Sequence, residues 1–135
     1  MSDIFISHVE EDGDFALELA RGLEAAGYST WYYKRDRYPG PDYLDQVARA
    51  TDECRAALVI ISPASVDSPH VDDEVKWARE QRKDLVPVLK GISWADFSRR
   101  ARWRMALGIA AVVSVPPQGV QASCRVSIVA CRSWE

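Results

Sequence analysis

Apolar residues along this chain alternate between short continuous runs and longer stretches in which every third or fourth position is apolar. Ile4 to Ser7 make the first run and predict strand one; the polar HVEEDGD segment after it predicts a loop. Phe15, Leu19, Leu23 and Ala26 recur at helical spacing, with Ala16 and Ala20 beside them. A first helix is therefore expected, with Asp14 as N-cap and Gly27 just past its end. Tyr28 to Tyr33 (YSTWYY) is rich in β-formers and predicts strand two. Two prolines and a glycine in KRDRYPGPD predict a stiff, charged loop. Asp42 can cap a helix from Tyr43 to Cys54, with Leu44, Val47, Ala48 and Thr51 inward. Ala56 to Ile61 (AALVII) fits a central parallel strand buried on both faces. SPASVDSP predicts a loop and His70 to Lys83 a further helix. Leu85 to Leu89 predicts a fourth strand that Pro87 weakens or places near an edge. Trp94 to Leu107 predicts a last helix, and Ala110 to Val115 a fifth strand.

Strands alternating with helices, with connections long enough for crossovers, imply an α/β fold: a five-stranded parallel sheet with helices on both faces. Residues 116–135 (PPQGVQASCRVSIVACRSWE) leave this alternation and fit a linker, an added strand or an extraneous extension.

Composition narrows the function classes. A chain of 135 residues suits one domain, and 47% hydrophobic with 27% charged residues suits a soluble globular one. The formal net charge of −3 argues against nucleic acid as the main partner. No run approaches a membrane span and no basic segment precedes a long apolar stretch, so a cytoplasmic location with neither membrane nor secretion is expected. The three cysteines, Cys54, Cys124 and Cys131, have no CxxC spacing; reduced thiols are expected, and no metal site.

Doubly wound sheets bind ligands beyond the carboxyl ends of the strands, where the winding reverses. A dinucleotide-binding Rossmann domain needs GxGxxG after strand one, so that backbone amides and a helix N-terminus hold the pyrophosphate. HVEEDGD instead has one glycine and four acids. A GKS or GKT P-loop is absent, and strand three ends in Ser62, not in the aspartate a phosphoacceptor receiver needs.

Four segments, in chain order, resemble the boxes of the TIR (Toll/interleukin-1 receptor) domain family. DIFISH at 3–8 resembles the first-strand box, and RDRYPG at 35–40 the loop before the second helix. LVIISPASVDSPHVDDE at 58–74 resembles the third strand and the start of the helix after it, and LVPVLKGISWADF at 85–97 the fourth strand with its tryptophan-bearing sequel. The resemblance spans about residues 3 to 115. It implies a flavodoxin-like sheet of order 2-1-3-4-5, a TIR domain over 1–117 and a tail or linker over 118–135.

One carboxylate draws attention. Glu74 lies three residues after Val71 and four before Ala78, which puts it on the sheet-facing side of its helix, while Asp72 and Asp73 fall elsewhere. An inward carboxylate costs energy unless it is solvated, paired or used. From position alone, a partly exposed glutamate without a chemical role is the favoured reading. The resemblance implies more: NAD⁺-consuming TIR domains carry their catalytic glutamate here, four residues after a tryptophan. In this chain Glu74 matches and His70 stands at the tryptophan position. An imidazole offers a smaller stacking face. The implied activity is cleavage of the nicotinamide–ribose bond of NAD⁺, which is substrate and not cofactor.

Further candidates come from the strand ends. Ser7 and His8 end strand one, Tyr33 ends strand two and Ser62 ends strand three. Each has a structural alternative: backbone capping for the serines, a satisfied structural role for the histidine, core packing for the tyrosine. Gly40, between two prolines, joins the candidate binding set but first serves loop geometry, and Asp36 can form a salt bridge within that loop. Some family members carry arginines just after the first box; here Val9 and Glu10 stand there, leaving phosphate contacts to Lys34 or Arg35. Arg99, Arg100, Arg102 and Arg104 read as a solvated helix face that can also meet an acidic partner. The resemblance further implies self-association through TIR–TIR contacts, attachment to a sensor domain in a longer protein, and a role in immune defence. A non-catalytic TIR scaffold, signalling through TIR–TIR contact alone, is the alternative.

Overall fold

The computed structural model describes residues 2–40, 42–100 and 113–114. Four strands make the body of one parallel sheet: β1 (Ile4–Ser7), β2 (Thr30–Trp31), β3 (Ala56–Ile61) and β4 (Asp84–Leu89), ordered β2-β1-β3-β4. The expected fifth strand is described only at β5 (Val113–Ser114), parallel to Val88 and Leu89. The rest of 110–115 lies outside the described residues, so what is seen falls short of five full strands. The same holds for the last expected helix, seen as α5 (Trp94–Arg100), and for the tail over 118–135.

β3 is buried at every position, as its apolar run requires, and alternate residues serve opposite faces. Ile4, Ile6, Leu58, Ile60, Val86 and Val88 pack against α1 (Gly13–Ala25) on one side. Phe5 and Ala57 meet α3 (Tyr43–Glu53) on the other, with Val59 and Ile61 against α4 (Pro69–Glu80). Helices therefore cover both faces.

Four local expectations need correction. Asp12 and not Asp14 takes the N-cap position of α1, because Glu10–Asp12 already form a 3-10 turn leading into the helix. Strand two shrinks to Thr30–Trp31. The Tyr28 N–H is used by the Leu23 carbonyl and Ser29 is tied to Asp3, while Tyr33–Asp36 turn into a helical segment, α2, whose Asp36 carboxylate accepts the Tyr32 N–H. Leu44 is 63% exposed, not inward; Gln46, Val47, Ala50 and Thr51 form the buried face of α3. Pro87 sits inside the sheet opposite Val59, with β5 on the far side of β4.

Gly27 closes α1 at φ +98°, a conformation that favours glycine. Asp42 caps α3, its carboxylate accepting the Asp45 N–H at 2.9 Å, and Ser68 caps α4, accepting the Val71 N–H at 3.3 Å. Asp42→Ala is expected to cost about 1 kcal/mol in urea unfolding; a loss below a few tenths would show the cap to be idle.

Candidate active site

β1 lies between β2 and β3, so the winding reverses beside it. A cleft of about 500 Å³ opens there, bounded by the end of β1, the loop after it, α2 and the first turns of α3 and α4. That is within the range of small-ligand sites. Glu10 and Glu11 line one side; Lys34 and Arg37 bring positive charge, with a long Lys34–Glu10 ion pair at 3.6 Å.

Glu74 reaches this cleft from α4. Val71, Val75 and Ala78 anchor the same helix face in the core, and the Glu74 residue is 7% exposed. The expectation that it faces inward is met. Burial pushes its carboxyl up to about 7; the hydroxyls of Ser7 and Tyr43 oppose that rise and the neighbouring Asp73 charge adds to it. The Tyr43 hydroxyl donates to Glu74 Oε1. Ser7 Oγ is buried and acts on the carboxyl, yet makes no well-formed hydrogen bond. A carboxyl balanced near neutrality in a cleft has the electrostatics of a reactive group.

Rings line the approach. Tyr43 makes edge-to-face contacts with Tyr33 at 4.8 Å and with His70 at 4.9 Å, and Arg37 stands over the Tyr33 ring at 6.0 Å. His8 lies edge-on to Tyr32 at 5.3 Å; burial lowers its pKa, favouring the neutral imidazole.

Five of the seven residues nominated from sequence thus gather here: Glu74, His8, Tyr33 and His70 line the cleft, and Ser7 lies behind Glu74. Ser62 does not join them. Its hydroxyl donates to the buried Asp12 at 2.5 Å and accepts the Ser65 N–H, which places it in a structural network under the loop. Gly40 is exposed at φ +114° and does not line the cleft, so its part is loop geometry. Of the two proposed phosphate contacts, Lys34 lines the cleft, whereas Arg35 is held by Glu24, Asp36 and the Thr30 carbonyl at 2.7–2.9 Å. Arg37, Ser68 and above all Tyr43 line the cleft without having been expected there from sequence. Tyr43 sits directly after the Asp42 cap, but nothing in its local spacing reports a contact with a residue 31 positions away. Cys54 is buried with its thiol pushed up to about 12, an inert packing role.

These features define a doubly wound α/β domain with a mixed-charge cleft and a buried carboxyl at the point of reversal. A family model described as TIR domain matches residues 4–108, and the chain belongs to that family. It is 28% identical over 96 residues to a probable 2′ cyclic ADP-D-ribose synthase, BdTIR, from Brachypodium distachyon; the match covers 70% of this chain and 43% of that protein. The fold resembles the TIR domain of the Toll-related receptor TRR-2 from Hydra magnipapillata (TM-score 0.74, 18% identity, covering 98% of this chain and 99% of that one). It also resembles the TIR domains of the activated Roq1 resistosome recognising the pathogen effector XopQ (TM-score 0.76, 20% identity, covering 96% and 98%). Among the described residues no helix is long and apolar enough to cross a membrane.

Proposed function

We propose that this TIR domain cleaves the nicotinamide–ribose bond of NAD⁺, with Glu74 as the catalytic carboxylate. The observation that carries the reading is the buried Glu74 carboxyl, held by the Tyr43 hydroxyl and opening on a cleft at the sheet's reversal point. Nicotinamide in NAD⁺ is a cationic pyridinium. When its C1′–N bond breaks, the bonding pair goes to the ring nitrogen and a neutral base leaves, so no general acid is required, unlike ordinary glycoside hydrolysis. Positive charge develops on the ribose, and ionised Glu74 stabilises it. Water attack yields ADP-ribose and a proton; attack by a nucleophile of the ADP-ribosyl group itself yields a cyclic product. Similarity to a probable cyclic ADP-ribose synthase supports this substrate class. Tyr33 and His70 offer faces for the bases, and Lys34 and Arg37 offer charge for the pyrophosphate.

The test is to incubate concentrated protein with NAD⁺ and follow nicotinamide by chromatography. Release is expected, more strongly when the protein is clustered on a support; none under crowding or clustering sinks the reading. Arg37→Ala is expected to raise KM about ten-fold with kcat within about two-fold, on the scale of losing one charge-assisted contact. An unchanged KM removes Arg37 from substrate binding.

A scaffold that works only through TIR–TIR contact has one observation in its favour. Leu44 and Trp77 are exposed on an apolar groove between α3 and α4. Self-association without nicotinamide release would select it.

A further inference from the structure

Glu74 and Tyr43 line two cavities at once. One is the reversal-point cleft; the other, about 480 Å³, is the groove between α3 and α4, with Leu44, Val47, Ala48 and Trp77 on its walls. The Tyr43–Glu74 pair is thus common to both. A carboxylate that borders two cavities has to be turned toward the one that holds the sugar to be productive.

We infer that Tyr43 is a positioning residue for the proposed reaction: its hydroxyl holds Oε1 of Glu74, fixes the rotamer of the carboxylate and leaves Oε2 to meet the developing charge on the ribose. This rests on the reading of Glu74 given above. Two further contacts make Tyr43 suited to the task. Its own ring is steadied from two elements, by Tyr33 of α2 and His70 of α4, in edge-to-face contacts under 5 Å. It also follows the Asp42 cap directly, so its backbone is set by the start of α3. Burial and the Glu74 charge push the Tyr43 phenol far up, which keeps it protonated as a donor throughout the working pH range.

A hydroxyl that donates to a carboxylate favours the ionised form, so Tyr43 also resists the effect of burial on Glu74. Other charged groups surround the carboxyl, and on the α3–α4 groove side they are Asp45, Lys76 and Glu80. Ser7 comes from β1 and acts in the same sense, and Asp73 beside it on α4 acts in the opposite one. Across the cleft stand His8, Glu10 and Glu11 from β1 and its loop, and Lys34 and Arg37 from α2 and its end; His70 lies one turn earlier on α4. None of these is altered by removing the Tyr43 hydroxyl.

The experiment compares the wild type with Tyr43→Phe in two readouts. The first is a ¹³C NMR titration of glutamate-labelled protein, with the Glu74 signal assigned from its absence in Glu74→Gln. It needs no turnover. Tyr43→Phe is expected to raise the Glu74 midpoint by on the order of one pH unit. The second readout is nicotinamide release against pH. At pH 7 kcat is expected to fall about five-fold, the change in ionised fraction that such a shift produces, and to recover to within about three-fold by pH 9 with KM unchanged. Should Tyr43→Phe fail to fold, ring-fluorinated tyrosine inserted at position 43 keeps the scaffold and acidifies the donor; the Glu74 midpoint is then expected to fall below that of the wild type. An unmoved midpoint, or a loss of rate equal at every pH, overturns the role of Tyr43. Absence of release from the wild type overturns the proposed reaction instead, and the titration still decides whether Tyr43 governs the carboxyl.

Discussion

Glu74→Gln is expected to reduce nicotinamide release by at least about 10²-fold while making the fold more stable above pH 7. The loss of rate follows from removing the only carboxylate buried against the cleft among the described residues; losing one preorganised electrostatic stabiliser typically costs about 10²–10³ in kcat. The gain in stability follows from the same burial. The folded-state pKa of Glu74 is raised from 4.5 to about 7, so the folded protein binds this proton more tightly than the unfolded chain does. The group's stabilising contribution is complete below pH 4.5, declines as the pH rises through 7, and is gone above that. Relative to this, ionised Glu74 burdens the fold by up to roughly 3 kcal/mol at pH 8, and an isosteric amide that still accepts the Tyr43 hydroxyl removes most of that burden. Urea unfolding should show Glu74→Gln more stable than wild type by about 1–3 kcal/mol at pH 8 and nearly equal at pH 4.5. Equal stabilisation at both values, or turnover that survives the change, contradicts the assignment. A site that lowers stability in order to keep a buried charge available is the usual bargain at a reactive centre.

The same residue shows how far the sequence could be read. Val71 and Ala78 flank Glu74 at helical intervals, and that local periodicity is enough to say which way its side chain points. Asp42, Ser68 and Gly27 are equally local: caps and a turn whose chemistry depends on neighbours within four positions. β3 was legible because a six-residue apolar run ending in three β-branched residues leaves few alternatives. What resisted reading was decided at a distance. Strand two starts late because Asp3, 26 positions away, recruits the Ser29 N–H, a contact with no sequence signature. Ser62 looked like a pocket residue because it ends a strand beside the reversal point; its actual partner, Asp12, lies 50 positions away. Tyr43 was passed over for the same reason in reverse. Arg35 and Lys34 are adjacent in sequence, and only the α2 turn decides that one faces the cleft and the other the Glu24–Asp36 network.

The second large effect is expected at Lys90, outside the cleft but beneath one of its walls. Asp12 is 3% exposed and carries the turn from the Glu10–Glu11 lip into α1. Its carboxylate is held by Lys90 Nζ at 2.8 Å on Oδ1 and by the Ser62 hydroxyl on Oδ2, while the ammonium also lies 5.5 Å from the centre of the Phe15 ring. Lys90→Met keeps the stem of the side chain and removes the charge, leaving a buried carboxylate with one neutral donor. Breaking a buried pair in this way typically costs 3–5 kcal/mol. Because the Lys90 side chain is 37% exposed, water can reach the vacated position, and the expected loss is smaller, about 2 kcal/mol. The partner change decides the cause. Asp12→Asn combined with Lys90→Met abolishes the stranded charge and should recover more than half of the loss, whereas two independent packing defects would add. Amide exchange should quicken at residues 9–13 in the single variant, since the Asp12 N–H bond to the Val9 carbonyl belongs to the same turn, and KM for NAD⁺ should rise with it as the acidic lip loosens. A loss below about 0.5 kcal/mol would mean that solvent already carries the Asp12 charge, and the wall of the cleft would then be held by the Ser62 hydroxyl, the Asp12–Val9 backbone bond and the packing of Phe15.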